Sequence, residues 1–172
     1  DVLALAERAA REGGRVLASI PRSSSVITAD ARRDVKLEAD RLSEDRIVEL
    51  ITAESSVPVL AAERADQAPP VPVVGLRRRV DPLDGTMNYL LGIPFCCVSV
   101  ALWDGDEPLV SAVYDFGRDE MFSAVAGEGA WLNGSSMMEG SASVERAMLC
   151  TGFPAGTVFG TGESSRFVLQ VS

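Results

Sequence analysis

Residues 81–89, Asp-Pro-Leu-Asp-Gly-Thr-Met-Asn-Tyr, constrain the fold more than any other stretch of the chain, and we call them the acidic turn. Pro82 fixes its own φ angle and has no backbone N–H, so the chain after Asp81 cannot continue as an ordinary strand. Gly85 permits a tight turn, and Thr86 is a residue type that opens helices. The stretch therefore predicts the end of a strand, a turn and the start of a helix.

The acidic turn also carries groups that bind hard cations and phosphate. The carboxylates of Asp81 and Asp84 and the carbonyl of Leu83 are oxygen ligands of the kind that hard cations prefer. The N–H groups of Gly85 and Thr86 lie at the start of the predicted helix, where an anion is favoured. The residues alone leave two alternatives: metal-assisted phosphate chemistry, or an Asp-Pro and Asp-Gly turn that binds nothing.

Composition argues against several classes of function. The net charge of −9 over 172 residues disfavours nucleic acid or an anionic membrane as the main partner. No His is present, so acid–base chemistry would fall to carboxylates, hydroxyls or water activated by a metal. The three Cys lack the spacing of a disulfide framework, which predicts a reducing, cytoplasmic compartment. Adjacent Cys96 and Cys97 are expected to be buried on opposite faces of a strand.

Hydrophobic spacing predicts two helices before the acidic turn. Apolar or small residues recur at helical intervals over 2–20, and a second helix is predicted to open at 34–40 and to end near residue 55. Short strands are predicted at 26–28 and 57–60. Three consecutive arginines, Arg77–Arg79, then precede the turn. They could attract a phosphate substrate, but a solvated strand edge is the expectation by default.

After the acidic turn the sequence predicts an antiparallel sheet, built mainly from 94–134. Apolar runs at 95–102, 109–114 and 120–125 are separated by short turns rich in Gly and Asp, which is typical of a meander. A further strand is predicted at 147–151. The chain is therefore expected to be an α+β protein, with two helices packed on an antiparallel sheet.

The string Asp-Pro-Leu-Asp-Gly-Thr-x-Asn-Tyr resembles the signature of the inositol monophosphatase family, within the fructose-bisphosphatase-like, lithium-sensitive phosphatase superfamily. Three later segments, 112–115, 118–122 and 127–134, also resemble that family. The resemblance implies an N-terminal metal- and phosphate-binding α+β domain at 1–146. It also implies the start of a second, α/β domain at 147–172, with the rest of that domain missing.

The resemblance further implies a Mg²⁺-dependent phosphomonoesterase that hydrolyses a small polyol or sugar phosphate with water activated by metal. The implied metal ligands in the acidic turn are Asp81, Leu83 and Asp84. The implied substrate contacts are Leu83, Asp84, Gly85 and Thr86, and the Thr86 hydroxyl would help to orient the water.

Two implied site residues lie outside the acidic turn. Asp40 matches a family Asp that supports the catalytic Thr, here Thr86, although Leu37 stands where the family usually has Thr. As a residue alone, Asp40 is equally well explained as a solvated acid in a first helical turn. Glu63 is the remaining candidate for a catalytic and metal-binding acid. The family pattern places its first Glu on Ala62, so either Glu63 shifts by one residue to serve or that ligand is lost.

Three hypotheses of function follow. The first is the polyol or sugar phosphatase described above. The second is a truncated or degenerate homologue that keeps the scaffold and partial metal binding without catalysis. The third is a phosphatase of the same superfamily that acts on a nucleotide or an adenosine bisphosphate. The expected partner of an active enzyme is a small phosphorylated molecule rather than nucleic acid or a membrane, and a homodimer is left open.

Overall fold

The computed structural model describes residues 1–21, 27–31, 34–61 and 75–137. Within them, two long helices and one short helix accompany a two-stranded ribbon and a seven-stranded sheet. The helices are α1 (Val2–Ser19), α2 (Glu38–Glu54) and α3 (Thr86–Leu91). The strands are β1 (Ile27–Ala31), β2 (Asp34–Leu37), β3 (Val59–Ala61), β4 (Leu76–Asp84), β5 (Cys97–Asp104), β6 (Glu107–Asp115), β7 (Glu120–Val125), β8 (Gly129–Leu132) and β9 (Ser135–Ser136).

The seven-stranded sheet has the order β3-β4-β5-β6-β7-β8-β9. Strands β4 to β9 are antiparallel neighbours, and within them β5 to β8 form the predicted meander. The sheet is nevertheless mixed, because β3 pairs with β4 in parallel. The chain between Ala61 and Leu76 is long enough for the crossover that a parallel pair requires. The predicted strand at 147–151 and the proposed second domain lie outside the described residues.

The second helix begins later than predicted. Residues 34–37 form β2, which pairs antiparallel with β1, and α2 begins at Glu38. The Leu37 N–H donates a hydrogen bond of 2.8 Å to the carboxylate of Asp40, so that the side chain three residues on satisfies a backbone donor at the helix start. The expectation that the helix opens at residue 34 was wrong, because the backbone pairs with β1 there.

The core lies between α1, α2 and one face of the seven-stranded sheet. It includes Leu17, Ile47, Val98, Val100 and Ala112, each almost completely buried. Side chains of β4 and β5 that alternate with the core residues lie on the opposite face of the sheet, which we call the second face. Among them Arg79 is exposed, and Asp81, Ser99 and Trp103 are only partly buried. Among the described residues, no helix is long and apolar enough to cross a membrane.

Close packing of α1 against β6 depends on Gly14. A Cβ atom added there would lie 2.6 Å from Cδ1 of Tyr114 and 2.9 Å from Cβ of Phe116. Ala normally stabilises a helix relative to Gly by about 1 kcal/mol. We expect the reverse here, with Gly14→Ala lowering the free energy of unfolding in urea by about 1–3 kcal/mol, because the Tyr114 ring must move.

A double-mutant cycle tests the physical reason for that loss. In a Tyr114→Leu background the aromatic atoms nearest to the added methyl group are gone, so Gly14→Ala should cost less than it does in the original chain. Equal losses in both backgrounds, or a gain of stability in the original chain, would contradict this account of the packing.

Candidate active site

Strand β4 changes its register with β5 inside the acidic turn. Asp81 lies opposite Ser99, whereas Asp84 lies opposite Cys97, so β4 carries one extra residue across this interval. Pro82, which has no N–H for the ladder, lies within the irregular part. The irregularity allows the two acids to leave the strand in different directions, although only two residues separate them.

Gly85 joins the strand to helix α3. Its φ angle is +85°, in the left-handed region, and α3 begins at the next residue, Thr86. A Cβ atom at Gly85 would lie 2.5 Å from the carbonyl oxygen of Phe95 and 3.3 Å from Cα of Cys96. Only Gly fits this position without movement of the backbone. The predicted order of strand, turn and helix is confirmed.

Two hydrogen bonds fix the interior of the acidic turn. The Leu83 N–H donates to Oδ1 of Asp81 at 3.2 Å, and the Thr86 hydroxyl donates to the Leu83 carbonyl at 3.1 Å. A carbonyl oxygen has two lone pairs, so the Leu83 carbonyl can accept this bond and still face a cation. The Thr86 oxygen donates its hydrogen bond to the Leu83 carbonyl and keeps its lone pairs to accept a hydrogen bond from a donor such as water.

A buried polar cluster on α2 supports the turn from the core side. Asp40, Ser43 and Glu44 are 2%, 0% and 0% exposed, and the Ser43 hydroxyl donates to the carbonyl of Pro82 at 3.1 Å. The alternative of a solvated acid at Asp40 is therefore excluded. Sequence reasoning missed Ser43 and Glu44. Ser43 and Glu44 lie three and four residues after Asp40, so all three residues share one face of the helix. That spacing could have indicated the cluster from the sequence.

The two acids of the turn face different cavities. Asp81 is half-buried and lines a groove of about 360 Å³ on the second face, together with Arg79 and Trp103. Asp84 is exposed and lines a separate cavity of about 380 Å³ beside Phe95. Across the described ranges, no group of three Asp, Glu or Cys side chains is arranged to hold a metal ion.

The remaining predicted acid, Glu63, lies outside the described residues, as does Ala62. The structure thus brings Asp81, Leu83, Asp84, Gly85 and Thr86 together in one turn and leaves the role of Glu63 as a prediction. Asp40 lies near the same turn through its helix, because the next turn of α2 contacts Pro82.

Cys97 lies directly beside Asp84 on the second face. Its Sγ atom is 4.0 Å from Oδ2 of Asp84. Burial, followed by the negative charges of Asp84 and Asp81, raises the pKa of the Cys97 thiol to about 12. The thiol is therefore protonated at neutral pH and does not act as a thiolate nucleophile. Cys96 is buried as expected, whereas Cys97 is only partly buried because its side chain faces away from the core.

A solvated strand edge was expected at Arg77–Arg79, and this expectation was wrong for Arg77 and Arg78. Strand β4 lies between β3 and β5, and Arg77 and Arg78 are only 7% and 2% exposed. Among the described residues, Nε and Nη1 of Arg78 have no hydrogen-bond partner, and burial lowers the pKa of its guanidinium. Arg79 is exposed on the second face, with its guanidinium carbon 5.6 Å from the centroid of the Trp103 ring.

Comparison with known proteins confirms the resemblance. Residues 1–166 match the model of the inositol monophosphatase family. The chain belongs to this family. It is 33% identical over 158 residues to a Nus factor SuhB from Haemophilus influenzae, and the match covers 89% of this chain and 58% of that protein. Over 73 residues it is 47% identical to inositol monophosphatase 2 of Solanum lycopersicum, which covers 42% of this chain and 28% of that protein.

Solved structures of the family have the same fold. The inositol monophosphatase of Anabaena superposes with a TM-score of 0.67 at 31% identity, over 83% of this chain and 50% of that one. The chain spans little more than half the length of the Haemophilus relative. The predicted family and the predicted arrangement of two helices on a mainly antiparallel sheet are confirmed.

Proposed function

We propose that this chain carries the metal- and phosphate-binding part of a phosphomonoesterase that depends on Mg²⁺. The family suggests a small polyol or sugar phosphate as its substrate. The observation that supports the proposal best is the acidic turn, where two carboxylates and a carbonyl precede a left-handed Gly and the start of a helix. This order of groups suits a hard cation on one side and a phosphate on the other.

The oxygen donors of the turn fit Mg²⁺ chemically. The carboxylate of Asp81 and the carbonyl of Leu83 would hold one Mg²⁺ ion, the carboxylate of Asp84 in the other cavity would hold a second, and Glu63 is proposed as a further acid. When bound, Mg²⁺ neutralises phosphate charge and lowers the pKa of a coordinated water.

The chain's own groups then bind and orient the substrate. The N–H groups of Gly85 and Thr86 are proposed to donate to phosphate oxygens, with the left-handed conformation of Gly85 setting their direction. The Thr86 hydroxyl donates a hydrogen bond to the Leu83 carbonyl and so presents its oxygen lone pairs to accept a hydrogen bond from the attacking water, which orients that water. Asp40 and Ser43 are proposed to hold the turn in place from α2.

A non-catalytic homologue is the second candidate. Within the described part of the chain no three-acid metal cluster is present, and Ala62 occupies the place of a family Glu. A relative that matches most of this chain is named as a Nus factor rather than as an enzyme.

We further propose a cytoplasmic location, which agrees with the free thiols of Cys96 and Cys97. A homodimer is a separate proposal.

Loss of both acids tests the proposed function. We expect the Asp81→Asn, Asp84→Asn double variant to bind Mn²⁺ at least about tenfold more weakly in calorimetry, because a hard cation loses its charged ligands. Release of phosphate from inositol 1-phosphate, measured with saturating Mg²⁺, should fall with it. The matched control is Asp104→Asn with Glu107→Gln, two exposed acids of the β5–β6 hairpin, which should change neither quantity.

The outcomes separate the two candidates. Unchanged Mn²⁺ affinity in the double variant would show that the cation does not bind at the acidic turn. Binding of Mn²⁺ that depends on both acids, without any release of phosphate, would favour the non-catalytic homologue.

A further inference from the structure

We propose that Tyr89 is a positioning residue, which fixes α3 and the phosphate-binding N–H groups at its start on the C-terminal end of α1. The inference rests on the proposed function, because it takes phosphate to bind at Gly85 and Thr86. It also separates two supports of the acidic turn. Helix α2 supports the groups proposed to hold metal, and α1 supports the groups proposed to hold phosphate.

Helix α3 is too short to hold its own position. It has six residues, Thr86–Leu91, and an isolated helix shorter than about 12–15 residues is marginal in water. Both of its caps are glycines in the left-handed conformation, Gly85 and Gly92, so the chain changes direction at each end. The orientation of α3 therefore has to come from contacts with the rest of the protein.

Tyr89 is the residue through which α3 enters the core. It is 1% exposed, and it is the only one of the six residues of α3 that is buried. By contrast, Met87 and Leu91 are 40% and 65% exposed, and Leu90 is partly buried. The Tyr89 ring contacts the Phe116 ring edge to face, with 6.2 Å between the ring centroids. The Tyr89 side chain is therefore the main attachment of α3 to the core.

The Tyr89 hydroxyl gives this attachment a fixed direction. It donates a hydrogen bond of 2.9 Å to the Leu17 carbonyl and lies 3.2 Å from the carbonyl oxygen of Ile20. These carbonyls lie at the C-terminal end of α1, where the α-helical pattern supplies no N–H donor. The bond joins residues 72 positions apart in the chain. It therefore fixes α3 relative to α1 rather than within its own segment.

The first turn of α3 carries this position to the phosphate-binding groups. The Tyr89 N–H donates to the Gly85 carbonyl at 2.9 Å, which closes the turn that contains Thr86. The N–H groups of Gly85 and Thr86 lie about one helical turn from the Tyr89 side chain, so a tilt of α3 would redirect them. Functional sites fail when such groups are about 1 Å out of place.

The groups proposed to bind metal have a different support. Asp81 and Leu83 lie on β4, and the Ser43 hydroxyl of α2 donates to the carbonyl of Pro82 between them. Strand β5 pairs with β4 on both sides of this interval. Loss of the Tyr89 hydroxyl should therefore weaken phosphate binding without weakening metal binding. A general loss of stability would not separate the two.

Tyr89→Phe tests the inference, with Tyr114→Phe as the matched control. Each variant removes one hydroxyl group and keeps the ring, and the Tyr114 hydroxyl donates to Asp119 at 2.8 Å, in the turn between β6 and β7. In calorimetry with saturating Mg²⁺, Tyr89→Phe should bind inorganic phosphate about three- to tenfold more weakly, the range that one net hydrogen bond corresponds to. Its affinity for Mn²⁺ should change less than about twofold, and Tyr114→Phe should change neither affinity by more than about twofold.

Amide hydrogen exchange gives a second measurement, which does not depend on phosphate. The N–H of residue 89 closes the first turn of α3, so its exchange should be at least about threefold faster in Tyr89→Phe. It should be unchanged in Tyr114→Phe. Circular dichroism of both variants establishes that the fold is intact.

The results distinguish failure of this inference from failure of the proposed function. Full phosphate affinity in Tyr89→Phe, or unchanged exchange at residue 89, would overturn the inference even where metal and phosphate bind at the acidic turn. Equal losses of phosphate affinity in the two variants would also overturn it, because the effect would then be one of general stability. Faster exchange at residue 89 in Tyr89→Phe, without binding of phosphate by the original chain, would support the attachment of α3 through Tyr89 and overturn the proposed function.

Discussion

Gly85→Ala is expected to lower the free energy of unfolding by about 2–5 kcal/mol, measured by chemical denaturation. Two costs add at this residue. A left-handed φ of +85° costs an Ala about 1–2 kcal/mol. The new Cβ would also lie 2.5 Å from the Phe95 carbonyl oxygen, and forced backbone shifts of this kind cost about 1–3 kcal/mol.

Gly127→Ala is the matched control for this prediction. Gly127 has a φ of +76°, and no atom would lie within 4 Å of its added Cβ. The substitution there isolates the conformational cost, so a loss of only about 1–2 kcal/mol is expected. Equal losses at the two positions would show that the contact with Phe95 does not restrict Gly85.

Arg78→Met should raise the free energy of unfolding by about 1–4 kcal/mol, which is opposite in sign to most core substitutions. The Arg78 side chain is 2% exposed, and two of its guanidinium nitrogens have no hydrogen-bond partner in the described part of the chain. A buried cation without such partners costs the free energy of leaving water. Met is similar in length and flexible enough to fill the same space.

Arg79→Met provides the comparison for that variant on the same strand. Arg79 is exposed, and its contact with Trp103 contributes on the order of 0.5–1 kcal/mol, so its loss should lower stability slightly. Both variants are measured by urea denaturation under identical conditions. If Arg78→Met instead destabilises the chain by several kcal/mol, the guanidinium has a charged partner in the folded protein.

The acidic turn could be predicted from sequence because its information is local. Pro82 and Gly85 restrict the backbone through their own covalent structure, so the order of strand, turn and helix follows from residues within the turn. The same holds for α1, whose apolar residues recur at the helical period over its whole length. These features depend little on where the rest of the chain lies.

The features that were mispredicted depend on distant parts of the chain. Residues 34–37 are extended because β1 pairs with them, and Arg77 and Arg78 are buried because β3 covers the edge of β4. The sequence also did not predict that Asp81 and Asp84 face two cavities, because that division depends on the extra residue of β4 relative to β5. A pattern of charges along one segment contains no information about such pairings.

Because β3 pairs with β4 in parallel, the two strands that flank β4 beside the acidic turn differ in how easily they separate from it. Strand β3 has three residues and lies at one edge of the sheet that the described residues form, with Ala61 opposite Val80, one residue before Asp81. Its contacts join segments distant in sequence, whereas β5 to β8 are joined by short hairpins. Separation of β3 would therefore open the Leu60 and Ala61 side of the groove while the meander stays folded. The wall of the groove that β3 forms can thus unfold locally, whereas the wall that β5 forms moves only when the core unfolds.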